Sequence, residues 1–225
     1  MFKISKRLYS CAQFVKSNSI VDVGTDHAKL PIWLIKNNII DSAFACDIVP
    51  FSIERSINNI RKYRLEKKIK IFYSDGLTNV DENLSDTVVI AGLGGETISR
   101  IIKNCSWKFN KNKKFILQPT KSESNLRIFL LNNKFEVDSE VAINDGQHSY
   151  STILSHFSGV SQKVDCLYPW IGKLSPCKES YNYALKNLRY LEKLFYGLKF
   201  KNNVKQQENL GNVISDLKKF LSFCR

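Results

Sequence analysis

Ile20-Val21-Asp22-Val23-Gly24-Thr25-Asp26-His27-Ala28 is the stretch on which the fold turns. Its first residues form a short, β-branched apolar run that reads as a buried strand, and Gly24 stops it. Lys29 to Asn37 then carries a helical pattern, with Pro31 tolerable in the first turn. The unit is a strand feeding a helix through a tight glycine turn. Such a turn lets a ligand approach the backbone and offers it the amides of a helix N-terminus.

The same alternation continues outward. Ala43–Ile48, Ile69–Tyr73, Thr87–Ala91 and Lys114–Gln118 read as strands. Phe51–Arg64, Gly95–Cys105 and Glu123–Leu131 read as helices, and Phe135–Ile143 with Tyr150–Phe157 as a closing strand pair. Strict β–α alternation implies a mostly parallel sheet with helices on both faces. Ligands of such α/β sheets sit outside the carboxyl ends of the strands, so the loops after the first four strands matter most.

Beyond residue 160 the pattern changes. Pro169 and Pro176 bracket a connecting segment, and apolar residues then recur at 181, 185, 188, 191, 195 and 198. After Lys201-Asn202-Asn203 a second stripe holds Leu210, Val213, Ile214, Leu217, Phe220 and Leu221. Steps of three and four make two helices that would pack as an antiparallel hairpin. The expected division is 1–160 for the sheet domain and 161–225 for connecting segment and hairpin.

Lys and Arg number 34 against 21 Asp and Glu, a formal net charge of +13. That excess points to a polyanionic partner, without deciding between RNA and DNA. Six cysteines form no CxxC pair and no zinc-spaced cluster, so no metal is expected and reduced, mostly buried thiols are. No run of 18 apolar residues and no signal-peptide core occurs, so the expectation is a cytoplasmic protein without a membrane partner. A monomer is expected.

Four strand ends carry the chemistry. Asp22, Gly24 and Asp26 surround the first turn; Asp26 could equally be an N-cap. Asp47 ends the second strand, where a carboxylate can accept from both hydroxyls of a ribose, or can cap the next helix. Asp75-Gly76 ends the third, where the carboxylate can accept from an adenine amine. Ala91-Gly92-Leu93-Gly94-Gly95 ends the fourth and lets a flat base or a sulfonium approach the backbone. Acids at the first turn repel a pyrophosphate but suit an ammonium, and GxGxxG is absent. The ordered set suits S-adenosylmethionine better than a dinucleotide.

Val21 to Pro31, Val89 to Gly95, and Phe115-Ile116-Leu117-Gln118-Pro119 closely resemble the bacterial tRNA (adenine-22-N1)-methyltransferase family. Tyr168-Pro169-Trp170-Ile171-Gly172 and the helical tail resemble its C-terminal part. The resemblance implies a Rossmann-like class I methyltransferase sheet with a coiled-coil-like C-terminal hairpin, S-adenosylmethionine as donor, and N1 of a tRNA adenine, at position 22, as acceptor. Asp47 stands where the family often has Glu. The chain, like the family, lacks an Asn-Pro-Pro-Tyr loop, which fits a ring-nitrogen target.

On this reading Asp22, Gly24, Asp26, His27, Leu30, Asp47, Ile48, Asp75, Gly76, Ala91 and Gly92 form the donor site, and Gly94 and Gly95 lie on the substrate side. Asp26 is the catalytic candidate: accepting from the adenine N6 amine would enrich N1 in electrons and hold the product cation. Two other readings compete, a methyltransferase for a small molecule or protein, and a noncatalytic nucleic-acid binder on a relict Rossmann-like fold. Charge weighs against the first and the complete row of strand-end residues against the second.

Overall fold

The computed structural model describes residues 3–199 and 204–224. Strands β1 (Ser19–Val23), β2 (Ser42–Asp47), β3 (Ile69–Tyr73), β4 (Thr87–Leu93), β5 (Lys114–Pro119), β6 (Phe135–Asp145) and β7 (His148–Phe157) form one sheet in the order β3-β2-β1-β4-β5-β7-β6. β1 to β5 are parallel, and β7 joins β5 antiparallel. The order reverses at β1, so the loops after β1 and β4 diverge and leave a crevice between them.

Alternation along each strand sends side chains to two cores. Val21, Val23, Val88 and Ile90 pack with Ile98, Ile101 and Ile102 of α4 (Gly95–Asn104) and with Leu126 and Leu130 of α5 (Glu123–Asn132). On the other face Ile20, Ala43 and Val89 pack with α2 (Lys29–Lys36) and with Ile60 of α3 (Pro50–Lys62). That second face also holds an N-terminal helix α1 (Lys6–Phe14), which the sequence reading left unassigned. Ser5 caps it by accepting from the Leu8 amide, and Cys11, Ala12 and the following Val15 bury its inner side.

The tail contains α6 (Tyr168–Ile171), α7 (Lys178–Lys199) and α8 (Val204–Phe223). Leu188 and Leu191 meet Val213, Ile214, Leu217 and Leu221, and the ends run antiparallel, with Ser180 against Cys224 and Glu192 against Lys218. The most buried positions of α7 are Ser180, Tyr183, Ala184 and Leu191, whereas Tyr181, Leu185 and Phe195 of the expected stripe are only half-buried. The inner face is rotated because α7 packs against both α8 and the sheet. The expected turn Lys201-Asn202-Asn203 and the side chain of Leu198 lie outside the described residues.

A buried clasp joins tail and sheet. Arg127 donates to Glu140, to the Ser151 hydroxyl, to the Tyr183 hydroxyl of α7 and to the Pro169 carbonyl. Gly172 passes so close that a Cβ would collide with the Glu140 carboxylate, and the Lys173 amide donates to that group at 3.1 Å. Among the described residues no helix is long and apolar enough to cross a membrane, and no His/Cys/Asp/Glu group could hold a metal.

Candidate active site

A cleft of about 650 Å³ opens at the carboxyl ends of β1 to β4. Its lining brings together Asp22, Gly24, Asp26, Leu30, Asp47, Ile48, Asp75, Gly76, Ala91 and Gly92. These residues are up to 70 positions apart in sequence and meet because parallel strands deliver their ends to one edge. The volume lies within the usual range for small-molecule sites.

Local hydrogen bonding sets each loop. The amides of Gly24 and Thr25 donate to the Cys46 carbonyl at 2.9 and 3.1 Å, so the first turn is laced to β2. Gly24 itself has φ +73°, a conformation that disfavours side chains. The Asp47 carboxylate accepts from the Val49 amide at 2.8 Å, which shapes the entry to α3 and leaves further acceptor capacity toward the cleft. Ser74, buried, braces the third loop by donating to the Gly76 carbonyl and accepting from the Asn79 amide.

Charge is sorted by depth. Asp22 and Asp47 form a buried floor, with no Lys, Arg or His within ion-pair distance of either among the described residues. Burial, with the neighbouring Asp47 carboxylate, pushes the Asp22 carboxyl up to about 6, and the Thr25 hydroxyl offsets part of the rise. Lys3, Arg7, Lys29 and Arg100 line the rim. Arg100 lies 3.8 Å from Asp75. A cation on the floor would relieve two adjacent desolvated carboxylates, whereas a pyrophosphate would be repelled there. The floor therefore fits the ammonium and sulfonium of S-adenosylmethionine and not a dinucleotide.

Some expected residues stand elsewhere. Asp26 is not a helix cap: α2 starts at Lys29, its N-cap position is Ala28 at φ 50°, and no side chain caps it. Asp26 is instead half-exposed at the rim and accepts from Arg55 at 2.8 Å, with His27 Nε2 3.5 Å away. The His27 backbone carbonyl accepts from Asn59, and the residue is outside the cleft lining. Gly94 and Gly95 also stand outside it; Gly94 abuts Lys121, and Gly95 is packed against the Ser122 backbone at the start of α5. Conversely Lys3, Ile4, Ser5, Arg7 and Leu8 of the N-terminal segment form one wall. Sequence reasoning missed them, although Leu8, Cys11, Ala12 and Val15 already carried helical spacing.

Residues 4–153, two thirds of the chain, match the family described as a methyltransferase domain. The chain belongs to the methyltransferase domain family. Over 180 residues, 76% of each chain, the methyltransferase is 27% identical to the tRNA (adenine(22)-N(1))-methyltransferase of Bacillus subtilis. Its fold superposes on M. capricolum TrmK in complex with S-adenosyl-homocysteine with a TM-score of 0.79 and 28% identity, covering 99% of both chains. The ribosomal protein L11 methylase of Lactobacillus delbrueckii subsp. bulgaricus matches only 67% of this chain and 77% of its own, at TM-score 0.55 and 20% identity. That likeness concerns the fold alone, whereas the likeness to TrmK extends through the helical tail.

Proposed function

We propose that the chain transfers a methyl group from S-adenosylmethionine to N1 of an adenine in tRNA, at position 22. What supports this acceptor is the 27% identity to the tRNA (adenine(22)-N(1))-methyltransferase of Bacillus subtilis over 76% of each chain, together with the likeness to TrmK across 99% of both chains, tail included, since the donor cleft alone is common to many methyltransferases. The basic rim and the net charge of +13 favour a polyanionic acceptor over a small molecule or protein. The unpaired carboxylate floor has no use in a pure nucleic-acid binder.

Bound in the cleft, S-adenosylmethionine supplies an electrophilic methyl group. Asp47 would accept from the ribose hydroxyls, Asp75 from the donor's adenine amine, and Asp22 would face the cationic methionine end. Adenine N1 has an available lone pair, so no base must deprotonate it. The chain must hold N1 in line with the methyl group and exclude water, and proximity supplies much of the acceleration. Gly92, exposed and at φ +81°, leaves the space over the end of β4 open for a flat base. Asp26 at the rim would accept from the N6 amine. The target base must leave its stack to reach this depth.

The test is to incubate a tRNA transcript with the protein and S-adenosylmethionine and to map modified nucleosides by mass spectrometry. One 1-methyladenosine at position 22 is expected. Methylation of another base, or none on any tRNA, overturns the proposal.

A further inference from the structure

Gln118 belongs to a motif, Leu117-Gln118-Pro119, that the donor site does not use. It is fully buried, and its amide nitrogen donates to the Pro119 carbonyl at 2.7 Å. Its remaining oxygen accepts from Arg7 Nη1 at 3.2 Å, across 111 residues of sequence. Arg7 Nε also lies 3.7 Å from Asp145, and its guanidinium sits 5.3 Å from the centre of the Tyr150 ring. Three groups from β5, β6 and β7 thus fix one arginine of α1.

The held guanidinium faces the place where the acceptor must stand. Arg7 lines the donor cleft, and a Cβ built on Gly92 would find Arg7 Nη1, at 3.9 Å, as its one neighbour within 4 Å. Only one of its five N–H donors is used in a hydrogen bond to another described residue. Asp145 approaches at 3.7 Å on the Nε edge, with both side chains 30% exposed, so it screens the charge weakly. The donor's ammonium and sulfonium belong at the carboxylate floor, so the cation beside Gly92 has two anions to serve, the donor's own carboxylate or one that arrives with the acceptor, and donor affinity tells them apart.

We propose that Arg7 binds a phosphate of the target strand next to the extruded nucleotide, and that Gln118 is a positioning residue that aims it. This rests on the tRNA-methylation reading above. A planar guanidinium with donors to spare matches phosphate geometry, and the buried Gln118 fixes its plane so that the base is delivered over Gly92. Tyr150, the ring under Arg7, also lines a groove of about 750 Å³ that runs past His148 to Lys186 and Arg189 of α7. The phosphate chain would follow that groove to the tail.

The experiment uses the full chain with tRNA transcript across a salt series. Arg7→Gln should reduce the slope of log affinity against log salt by about 1, the signature of one lost phosphate contact. It should leave S-adenosylhomocysteine affinity by calorimetry unchanged, while the melting temperature falls somewhat, because the buried Gln118 oxygen loses its donor. Arg7→Lys should restore the slope yet remain roughly tenfold slow in single turnover, because a point charge does not lock against Gln118. Asp145→Asn, which removes the one carboxylate within ion-pair distance of Arg7 among the described residues, should tighten tRNA binding. An undiminished slope in Arg7→Gln, or a loss of donor affinity in its place, overturns the inference while wild-type methylation stands. A wild-type chain that binds tRNA but leaves it unmethylated overturns the functional reading and this inference with it.

Discussion

Asp26 and Arg55 meet at 2.8 Å on the rim of the donor cleft, and the guanidinium rests 4.6 Å from the centre of the Phe51 ring. A carboxylate so placed has one oxygen engaged and another available, and its orientation is set before any base arrives. Asp26→Ala should slow single-turnover methylation on the order of a hundredfold, about 3 kcal/mol of lost transition-state stabilisation. Asp26→Asn should also be poor, since its amide can present a donor to the amine. Stability should hardly change, because a half-exposed pair contributes only about 0–1 kcal/mol. Donor affinity falling in step with rate would give Asp26 a donor-positioning role, and near wild-type rates at saturating donor would remove it from the chemistry.

Asp22 makes the empty and loaded proteins differ in pH dependence. Its carboxyl is raised from 3.8 to about 6 by burial and by Asp47. Between those values the folded chain holds a proton that the unfolded chain has released, so this group lowers stability as pH rises through the window. The full cost, up to about 3 kcal/mol, is reached above pH 6. Asp22→Asn should therefore stabilise the ligand-free protein at pH 7 and flatten that component of the melting profile. Donor affinity should rise with pH through 6 in the wild type and not in the variant. Identical pH profiles for the two proteins would contradict the assignment.

The donor side is also testable by exchange of ligand. S-adenosylmethionine or its demethylated product should bind in the micromolar range, about −8 kcal/mol, and NAD should not bind. Asp47→Ala should weaken donor binding by roughly 1–3 kcal/mol if its buried carboxylate holds the ribose. Calorimetry and thermal shift measure both, and no response to either sulfur compound would refute the donor site.

The cleft was legible in sequence because its residues are read one strand end at a time. Asp22, Asp47, Asp75 and Gly92 each follow a short apolar run, and a parallel sheet brings such ends together whatever their spacing. Arg7 was not legible, because Gln118, Asp145 and Tyr150 lie more than a hundred residues away and no local pattern announces their meeting. The cap reading of Asp26 failed because His27 and Ala28 both take positive φ and delay α2 until Lys29. The inner face of α7 was misjudged at Tyr183 for a related reason. Its burial comes from the sheet and from Arg127, which helical periodicity within the tail does not report.

Arg127 and Glu140 are both wholly buried, so removing one leaves a charge without its partner. Arg127→Ala should cost about 3–5 kcal/mol, read as a large fall in melting temperature. Replacing both by apolar residues of similar volume should recover much of that loss, although the Ser151, Tyr183 and Pro169 partners would still lack a donor. A single variant as stable as the wild type would show that the clasp does not secure the tail.

The tail's contribution to tRNA affinity should come from particular cations and not from its total charge. Lys178, Lys186, Arg189, Lys193, Lys199, Lys201, Lys205, Lys218 and Lys219 make the tail basic, with the side chains of Lys199, Lys201 and Lys205 outside the described residues. Lys218 pairs with Glu192 at 2.9 Å and Lys219 with Asp216 at 3.0 Å. Lys186 is held by Glu123 at 2.7 Å and by the Ser149 carbonyl. Arg189 and Lys193 are exposed on α7, and Arg189 lines the groove that Tyr150 shares. Deleting the tail after Gly172 is a blunt test, since it also strips Tyr183 from Arg127 and uncovers Ile171. Substitution is sharper. Arg189→Gln with Lys193→Gln should lower the salt slope of tRNA binding by about 2 if each touches a phosphate. Lys218→Gln with Lys219→Gln, on the other helix, should lower it by about 0. Both pairs should keep wild-type affinity for S-adenosylhomocysteine, which shows that the sheet domain is intact. Equal losses from the two pairs would mean that the tail attracts tRNA only by its overall charge, and no loss from either would mean that tRNA does not touch this face of α7.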